Sequence, residues 1–324
     1  AALRSQAFLM AQHQALEHAL VLKAGEVDLT TLPIFLLANL ASGLTSVIPD
    51  ADLRFPGRIE AAPVIEQIQR CDVTRSAGSP ALYQRLVEYC EAEGKSLGGI
   101  RRIDTGGAPV FPVLLERVQG VAPEAKVVGV YGSTEAEPMA HIAWSDIGAA
   151  ELAEMQLGRG LLAGPPVPEV SLRVVRDRYG KPIGPYASGE FDAASLPVGE
   201  VGEIVLTGDH VLKGYLHGAG DQETKFEVDG ERWHRTGDAG FIDIEGRLWL
   251  VGRCSARIED AKGVLYPCAV ECAAHFIAGV RRSAMVSHEG RRILLVESDS
   301  RMEPLSPRST LTWAGLDEIR LVKE

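Results

Sequence analysis

Residues 126–138 have the sequence KVVGVYGSTEAEP, and the predictions of fold and function both start from this stretch. The apolar run Val127–Val130 predicts a buried strand, followed by a tight turn at Tyr131-Gly132. Ser133-Thr134-Glu135 then offers two hydroxyls and a carboxylate. The glycine lets the backbone approach a phosphate closely, the hydroxyls can bond phosphate oxygens, and the carboxylate is a hard ligand for Mg²⁺. The alternative is an ordinary turn with a Ser or Thr helix cap.

Further motifs surround this stretch in a fixed order. GGAP occupies residues 106–109, WHRTGD occupies 233–238, DIEGR occupies 243–247 and GR occupies 252–253. The ordered set resembles the adenylate-forming superfamily, which includes acyl-CoA synthetases, peptide-synthetase adenylation domains and luciferases. The resemblance covers nearly the whole chain. Within the superfamily, segments such as GRLWLVGRCSARIE and PCAVECAAH resemble the bacterial olefin-pathway branch of acyl-adenylating β-lactone synthetases.

The bulk composition is that of an ordinary globular protein. The chain has 324 residues, of which 46% are hydrophobic and 24% charged. Its net charge of −11 argues against nucleic acid or an anionic membrane as a partner. The five cysteines are odd in number and scattered, which suits a reducing compartment, so we predict a cytoplasmic protein without a zinc site. The apolar segment 32–49 is interrupted by prolines and predicts no membrane span. The oligomeric state stays open.

The pattern of elements predicts an α/β fold in three parts. Residues 1–163 alternate strands with helices, which implies a largely parallel sheet that binds acyl group and adenine at the carboxyl ends of its strands. Residues 164–253 contain short strands separated by turn residues, which predict a small β-barrel or an antiparallel sheet, with an exposed loop at Gly180–Pro197. Residues 254–324 predict a partial α+β C-terminal module after a hinge.

The resemblance also implies that the chain is truncated at both ends. An amphipathic helix is predicted within residues 1–24, where the superfamily places the helix that follows its glycine-rich phosphate loop. The superfamily's catalytic lysine lies in a basic segment beyond residue 324, and Lys323 lacks such surroundings. At the hinge the superfamily often has Asp or Lys two residues after the Gly-Arg arginine, where this chain has Ser255.

The resemblance assigns a role to each candidate site residue, with Thr134 and Glu135 as the catalytic ones. An acid suits the ribose because one carboxylate can accept hydrogen bonds from both hydroxyls. The assignments are Gly106, Gly107, Ala108 and Pro109 as the adenine wall, Tyr131 stacked on adenine, Gly132 and Ser133 completing that corner, Thr134 on the α-phosphate, Glu135 on Mg²⁺, Asp238 on the ribose hydroxyls and Arg253 on the ribose from the other side. We expect Glu203, Asp243, Trp233 and His234 to be structural, and we leave His141 open.

The implied reaction is attack of a carboxylate on the α-phosphate of ATP, which gives an acyl-adenylate and pyrophosphate with Mg²⁺ as cofactor. The substrate would be a small fatty or β-hydroxy acid. Its acyl group would then pass to CoA or close on its own β-hydroxyl as a lactone. The main alternative is a nucleotide-binding protein without turnover, because the phosphate loop and the tail lysine are missing. A Rossmann dehydrogenase is disfavoured because no G-x-G-x-x-G follows the early strands.

Overall fold

The computed structural model describes residues 1–298 and 310–322. The chain divides into two compact units. The N-terminal unit comprises Arg4–Ile147 and Val167–Glu169, and the C-terminal unit comprises Ala1–Leu3, Gly148–Pro166 and Val170–Glu324. The three-part division at residues 163 and 253 is finer than these two units and stays a prediction. Within the described ranges, no helix is both long and apolar enough to cross a membrane.

A six-stranded sheet forms the centre of the N-terminal unit. Its strands are β1 (Val27–Thr30), β2 (Thr45–Val47), β3 (Arg75–Gly78), β4 (Arg102–Gly106), β5 (Lys126–Ser133) and β6 (Ala136–Ala143). The order is β2-β1-β3-β4-β5-β6, and every neighbouring pair is parallel except β5 and β6. The helices are α1 (Gln6–Leu20), α2 (Pro33–Ala41), α3 (Ala61–Arg70), α4 (Pro80–Glu93) and α5 (Pro112–Val121). The predicted largely parallel sheet with helices is therefore confirmed.

Local sequence signals explain how these elements begin. Ser79 caps α4, because its Oγ accepts a hydrogen bond from the Leu82 N–H at 3.3 Å. Pro80 occupies the first turn, where a missing N–H costs nothing. The core of the unit forms where α1 and α2 pack on the sheet, and it includes Leu16 of α1 and Phe35 of α2.

The predicted turn at Tyr131-Gly132 is wrong. Strand β5 continues through Ser133, the turn is formed by Thr134-Glu135, and the chain returns as β6. Tyr131 is opposite Ala140 in this hairpin, and the register shifts between Tyr131 and Ser133. Strand β6 was missed because it contains Glu137 and Pro138, residue types that strands disfavour. It lies at the edge of the sheet, where proline is tolerated.

The C-terminal unit contains a second six-stranded sheet. Its strands are β7 (Leu161–Gly164), β8 (Ser171–Val175), β9 (Gly202–Thr207), β10 (Lys225–Val228), β11 (Glu231–Ile242) and β12 (Leu248–Arg253). The order is β7-β12-β11-β9-β8, with β10 paired to β11, and all pairs are antiparallel. The sequence predicted either a small β-barrel or an antiparallel sheet here, and this strand order is that of an antiparallel sheet. The predicted hairpin turn at residues 243–246 joins β11 to β12.

The unit also contains the short helices α6 (Ala149–Gln156), α7 (Ser188–Ala194) and α8 (Asp221–Thr224). After residue 253 the described chain forms a small α+β region, as predicted. Its elements are helix α9 (Pro267–Ala274), the hairpin β13 (Ile258–Asp260) and β14 (Gly263–Leu265), and the sheet of β15 (Val280–His288), β16 (Arg291–Ser298) and β17 (Glu318–Val322). Strands β15 and β16 form the predicted antiparallel pair, and β17 adds in parallel to β16. Lys323, which we left without a role, lies outside the described residues.

The segment predicted as the exposed loop Gly180–Pro197 is not entirely a loop. It contains α7, whose Phe191 is buried and lies 4.7 Å from the Trp233 ring, centroid to centroid. Phe226 and Tyr186 complete this aromatic cluster. Phe191 and Tyr186 together anchor the segment, since burying one phenylalanine alone contributes about 2 kcal/mol.

Candidate nucleotide site

The GGAP and YGSTE motifs meet at one edge of the first sheet. Strands β4 and β5 are parallel neighbours with Gly106 opposite Val130, so both motifs follow adjacent strand ends. A Cβ atom on Gly106 would lie 2.6 Å from the Val130 carbonyl oxygen, which explains why a glycine is required there. Gly107 has a φ of +83°, a conformation that glycine adopts readily. Gly107, Ala108 and Pro109 are exposed at this edge.

The YGSTE motif carries hydroxyl and carboxyl oxygen atoms at and beside the turn. Tyr131, Gly132 and Ser133 are half-buried, whereas Thr134 at the turn is exposed. The Ser133 Oγ accepts a hydrogen bond from the Glu135 N–H at 3.2 Å, which fixes the turn. Hydroxyl and carboxylate oxygens are the ligands that Mg²⁺ and its phosphate partners prefer, so these residues fit the predicted metal.

Arg4 contacts this turn, and the sequence analysis did not single it out. Its Nη2 donates a hydrogen bond to the Thr134 carbonyl oxygen at 2.7 Å, and its guanidinium lies 5.6 Å from the centre of the Phe8 ring. It places a positive charge beside the turn in a protein whose net charge is −11, which favours an anionic ligand there. No sequence signal connects Arg4 with a turn 130 residues away.

Glu137 was also missed. Its carboxyl group lies against Gly132, since a Cβ atom on that glycine would lie 2.5 Å from the Glu137 Oε2. Burial raises the pKa of this carboxyl to about 8, and the Arg4 charge only partly opposes the effect. A carboxylate at this point of the hairpin was invisible in the sequence because strand β6 itself was not predicted.

In the C-terminal unit, Asp238 and Arg253 face each other across two strands. They are register partners on β11 and β12, and Arg253 Nη1 lies 3.1 Å from Asp238 Oδ1. The Asp238 N–H donates to Thr236 Oγ1 at 3.0 Å, and Thr236 Oγ1 donates to the Ile204 carbonyl at 2.9 Å. Arg253 was expected on the opposite side of a ribose from Asp238, whereas here the two side chains form a direct ion pair.

The residues expected to be structural have structural contacts. Glu203 forms a buried ion pair with Arg235 at 2.6 Å. Asp243 accepts hydrogen bonds from Trp249 Nε1 and Arg247 Nε, both at 2.8 Å. These contacts tie neighbouring strands and the β11–β12 turn together.

Trp233 and His234 are buried on β11, as expected for packing residues. Trp233 belongs to the aromatic cluster, and His234 Nδ1 lies 3.0 Å from Lys225 Nζ. His141, which was left open, is on β6 opposite Val130, and burial lowers its pKa.

Asp177, Glu203 and Cys254 form a second cluster with the donor atoms of a metal site, all within 4.8 Å of one another. The cluster has its own positive partners, because Arg235 pairs with Glu203 and Arg257 pairs with Asp177 at 2.9 Å. Burial and the neighbouring carboxylates raise the pKa of Cys254, which disfavours a thiolate ligand. We interpret the cluster as an internal ion-pair network.

The structure thus places nine of the predicted site residues in the N-terminal unit and two in the C-terminal unit. The nine are those of residues 106–109 and 131–135, and the two are Asp238 and Arg253. Each group is locally assembled, the first by adjacent strand ends and the second by an ion pair. The role assigned to each residue stays a prediction.

Comparison with known proteins identifies the family. The model of a family described as "AMP-binding enzyme" matches residues 4–216. The chain belongs to the AMP-binding enzyme family. This confirms the resemblance on which the nucleotide assignments depend.

Two relatives within the family are named olefin beta-lactone synthetase. The protein from Stenotrophomonas maltophilia (strain K279a) is 35% identical over 282 residues, which cover 85% of this chain and 49% of the relative. The Xanthomonas campestris protein is also 35% identical, over 283 residues with the same two coverages. 4-Coumarate--CoA ligase 1 of Petroselinum crispum is 29% identical over 72% of this chain and 40% of the ligase. The chain therefore spans about half the length, or less, of these AMP-binding enzymes.

Solved structures of adenylate-forming enzymes share the fold. Amide bond synthetase McbA from Marinactinospora thermotolerans matches with a TM-score of 0.78 and 22% identity, covering all of this chain and 63% of McbA. O-succinylbenzoate Coenzyme A Synthetase from Bacillus subtilis, solved in complex with AMP, matches with a TM-score of 0.75 and 20% identity, covering all of this chain and 62% of that enzyme. At these identities the match establishes the fold of an AMP-binding enzyme.

Proposed function

We propose that this chain is the nucleotide-binding part of an ATP-dependent ligase that converts a carboxylic acid into an acyl-adenylate. The observation that carries the proposal is the sheet edge at which GGAP and YGSTE lie side by side. There residues 106–109 follow the strand next to the one that carries Tyr131 and leads into the oxygen-rich turn, and Arg4 donates a hydrogen bond to that turn. These are the groups that a purine, a triphosphate and its metal ion require.

The proposal gives each group one task. Residues 106–109 and the Tyr131 ring bind the two faces of adenine. Thr134 donates to the α-phosphate, and the Asp238 carboxylate accepts from both ribose hydroxyls. Glu135 holds Mg²⁺, which when bound neutralises phosphate charge. The protein itself would act mainly by positioning the acid and the α-phosphate and by stabilising developing charge.

We further propose that the acid is a β-hydroxy acid and that the acyl-adenylate closes to a β-lactone. This is supported by the identity to the two olefin beta-lactone synthetases, which is 35%, compared with 29% to the Petroselinum crispum 4-coumarate--CoA ligase. Transfer of a fatty acyl group to CoA is the other outcome. Analysis of the products formed with and without CoA separates the two.

A second candidate is nucleotide binding without turnover. It concerns the 324 residues taken by themselves, which span 49% of the two relatives to which they are 35% identical. In that case the 324 residues bind AMP through the same side chains but do not complete adenylation. The two candidates share one binding site and differ only in catalysis.

Two measurements test these proposals in sequence. Calorimetric titration with AMP and ATP, with Mg²⁺ or EDTA, measures binding. Pyrophosphate exchange with a panel of fatty and β-hydroxy acids measures adenylation. Thr134→Ala should weaken binding about tenfold, since one hydrogen bond to a charged group contributes about 1.5 kcal/mol. The exposed Thr45→Ala is the matched control. Failure of the unmodified chain to bind AMP at millimolar concentration contradicts both candidates.

A further inference from the structure

In the described part of the chain, Arg4 uses only one of its hydrogen-bond donors. Its Nη2 donates to the Thr134 carbonyl oxygen at 2.7 Å. Among residues 1–298 and 310–322, the guanidinium makes no other hydrogen bond and no ion pair. An arginine has five N–H groups, so the remaining ones are available to a ligand. Because Thr134 is the residue proposed to bind the α-phosphate, these N–H groups lie beside the place proposed for the phosphates.

The surroundings of Arg4 fix the place of its charge. The guanidinium lies 5.6 Å from the centre of the Phe8 ring, which is a cation–π distance, and Phe8 is buried. Arg4 is half-buried and stands two residues before helix α1 begins. Ser5 caps that helix, because its Oγ accepts a hydrogen bond from the Phe8 N–H at 3.1 Å. A charge that is held in place before a ligand binds costs less entropy to order on binding.

The charge balance at the turn favours ATP over AMP as the partner of Arg4. Glu135 adds a negative charge at the turn, and the net charge of the chain is −11. The first turn of α1 contains no acidic residue that could neutralise Arg4. A triphosphate carries more negative charge than a monophosphate, so it gains more from a local cation. The planar guanidinium also matches two phosphate oxygens at once.

The proposed contacts follow the order of the groups in ATP. Tyr131 is assigned to adenine and Thr134 to the α-phosphate, so the contacts run from base to phosphate along β5 and into the turn. Arg4 contacts the carbonyl group of Thr134, at the end of this series. Adjacent phosphates share one bridging oxygen, so the β-phosphate lies directly beside the α-phosphate. The guanidinium is therefore in a position to contact the phosphates beyond the first one.

We propose that Arg4 binds the β- and γ-phosphates of ATP and, after adenylation, the pyrophosphate product. The inference rests on the proposed function. In that reaction a carboxylate oxygen of the acid forms a bond to the α-phosphorus, and the bond from the α-phosphorus to the bridging oxygen breaks. Pyrophosphate leaves with the electron pair of that bond, and no proton is transferred. Arg4 donates hydrogen bonds to the oxygens on which negative charge increases, so it stabilises the leaving group.

The ratio of the affinity for ATP to the affinity for AMP tests this contact. Both nucleotides are titrated by calorimetry, with Mg²⁺ and with EDTA, into the unmodified chain, Arg4→Gln and the control Arg54→Gln. The control removes the same charge from an exposed ion pair with Asp52. In Arg4→Gln the ratio should fall about tenfold or more, as the loss of a charge-assisted hydrogen bond predicts, and the affinity for AMP should change less than about twofold. The control should keep the unmodified ratio.

The possible results separate this inference from the proposed function. If the unmodified chain does not bind AMP, the proposed function fails and the inference fails with it. If AMP binds but Arg4→Gln keeps the ratio, or weakens both nucleotides by the same factor, Arg4 only supports the turn and the inference alone is wrong. A fall in the ratio with Mg²⁺ but not with EDTA would also overturn the direct contact. Should Arg4→Gln fail to fold, Arg4→Lys takes its place. It keeps the charge without the planar fork, so the ratio should still fall, and an unchanged ratio would overturn the inference.

Inorganic pyrophosphate tests the product complex without an acid substrate. It is titrated into each chain after saturation with AMP. The unmodified chain and Arg54→Gln should bind pyrophosphate, and Arg4→Gln should bind it about tenfold more weakly. Added salt should weaken the binding less in Arg4→Gln, because one screened ionic contact is missing. Equal pyrophosphate affinities in Arg4→Gln and the control, or no binding of pyrophosphate by the unmodified chain, would overturn the proposal.

Discussion

Replacing Asp238 by asparagine tests the ribose assignment with little risk to the fold. The Asp238 side chain is 15% exposed, and its partner Arg253 is 66% exposed. A pair this accessible contributes at most about 1 kcal/mol to stability, and Arg253 can be solvated once its partner is neutral. Asp238→Asn should therefore fold with nearly unchanged stability, so that a loss of binding can be attributed to the site.

The expected loss of affinity follows from the hydrogen bonds involved. Two bonds from ribose hydroxyls to a carboxylate contribute about 3 kcal/mol or more together. Bonds to a charged acceptor are roughly twice as strong as neutral ones, so the amide retains about half. The affinity for AMP, measured by calorimetry, should fall about tenfold in Asp238→Asn and about 100-fold in Asp238→Ala. The exposed Asp192→Asn should bind AMP normally.

A deoxynucleotide makes the test specific to the sugar. The unmodified chain should bind AMP about tenfold more tightly than 2′-deoxy-AMP, because one charged hydrogen bond is missing. In Asp238→Ala this discrimination should disappear. If the variant loses affinity for both nucleotides by the same factor and still discriminates between them, the Asp238 carboxylate does not contact the ribose 2′-hydroxyl and the assignment is wrong.

Three further predictions concern stability and are measured by urea denaturation. Gly106→Ala should destabilise the chain by about 1–3 kcal/mol, since the new Cβ atom would lie 2.6 Å from a carbonyl oxygen. Gly120→Ala is the control: the space around Gly120 on α5 is open, so this substitution should stabilise the chain slightly. Glu203→Ala should cost about 3–5 kcal/mol because it leaves Arg235 buried and unpaired. The raised pKa of Glu137, about 8, means that the folded state holds its proton more tightly than the unfolded state. The free energy of unfolding should therefore fall from about pH 5 to pH 8, by up to about 1.4 kcal/mol per pH unit for this group. Glu137→Gln should flatten this pH dependence. An equally steep pH dependence in the variant would contradict the raised pKa of Glu137.

The sequence predicted those features that depend on local patterns or on general rules of sheet topology. The Ser79 cap follows from a local preference for hydroxyls before proline. The meeting of residues 106–109 with residues 131–135 follows from the rule that parallel neighbours end at the same edge. In both cases the information lies within one element or two adjacent ones.

The features that the sequence did not predict depend on tertiary contacts. Arg4 reaches a turn 130 residues away, and Phe191 orders α7 only because other aromatic residues surround it. Strand β6 was missed because its own residues disfavour a strand, and pairing with β5 decides its conformation. The pairing of Arg253 with Asp238 depends on the register of β11 and β12. The predicted hairpin turn indicated that these two strands pair, but it did not show which residues lie opposite each other.

The β5–β6 hairpin connects these observations with the proposed chemistry. Strand β5 supplies the Tyr131 ring and the Ser133 hydroxyl, and the turn after it supplies the Thr134 hydroxyl; these are groups proposed to bind the nucleotide. The return strand adds a carboxyl group beside the same backbone, and Gly132 is the residue that leaves space for it. Because the carboxyl is carried by the strand that follows the turn, its place relative to Ser133 and Thr134 is set by the β5–β6 pairing. A substitution of Gly132 by alanine should therefore displace the Glu137 carboxyl from its buried place and flatten the pH dependence of stability as Glu137→Gln does, and an unchanged pH dependence would show that the carboxyl does not depend on this space.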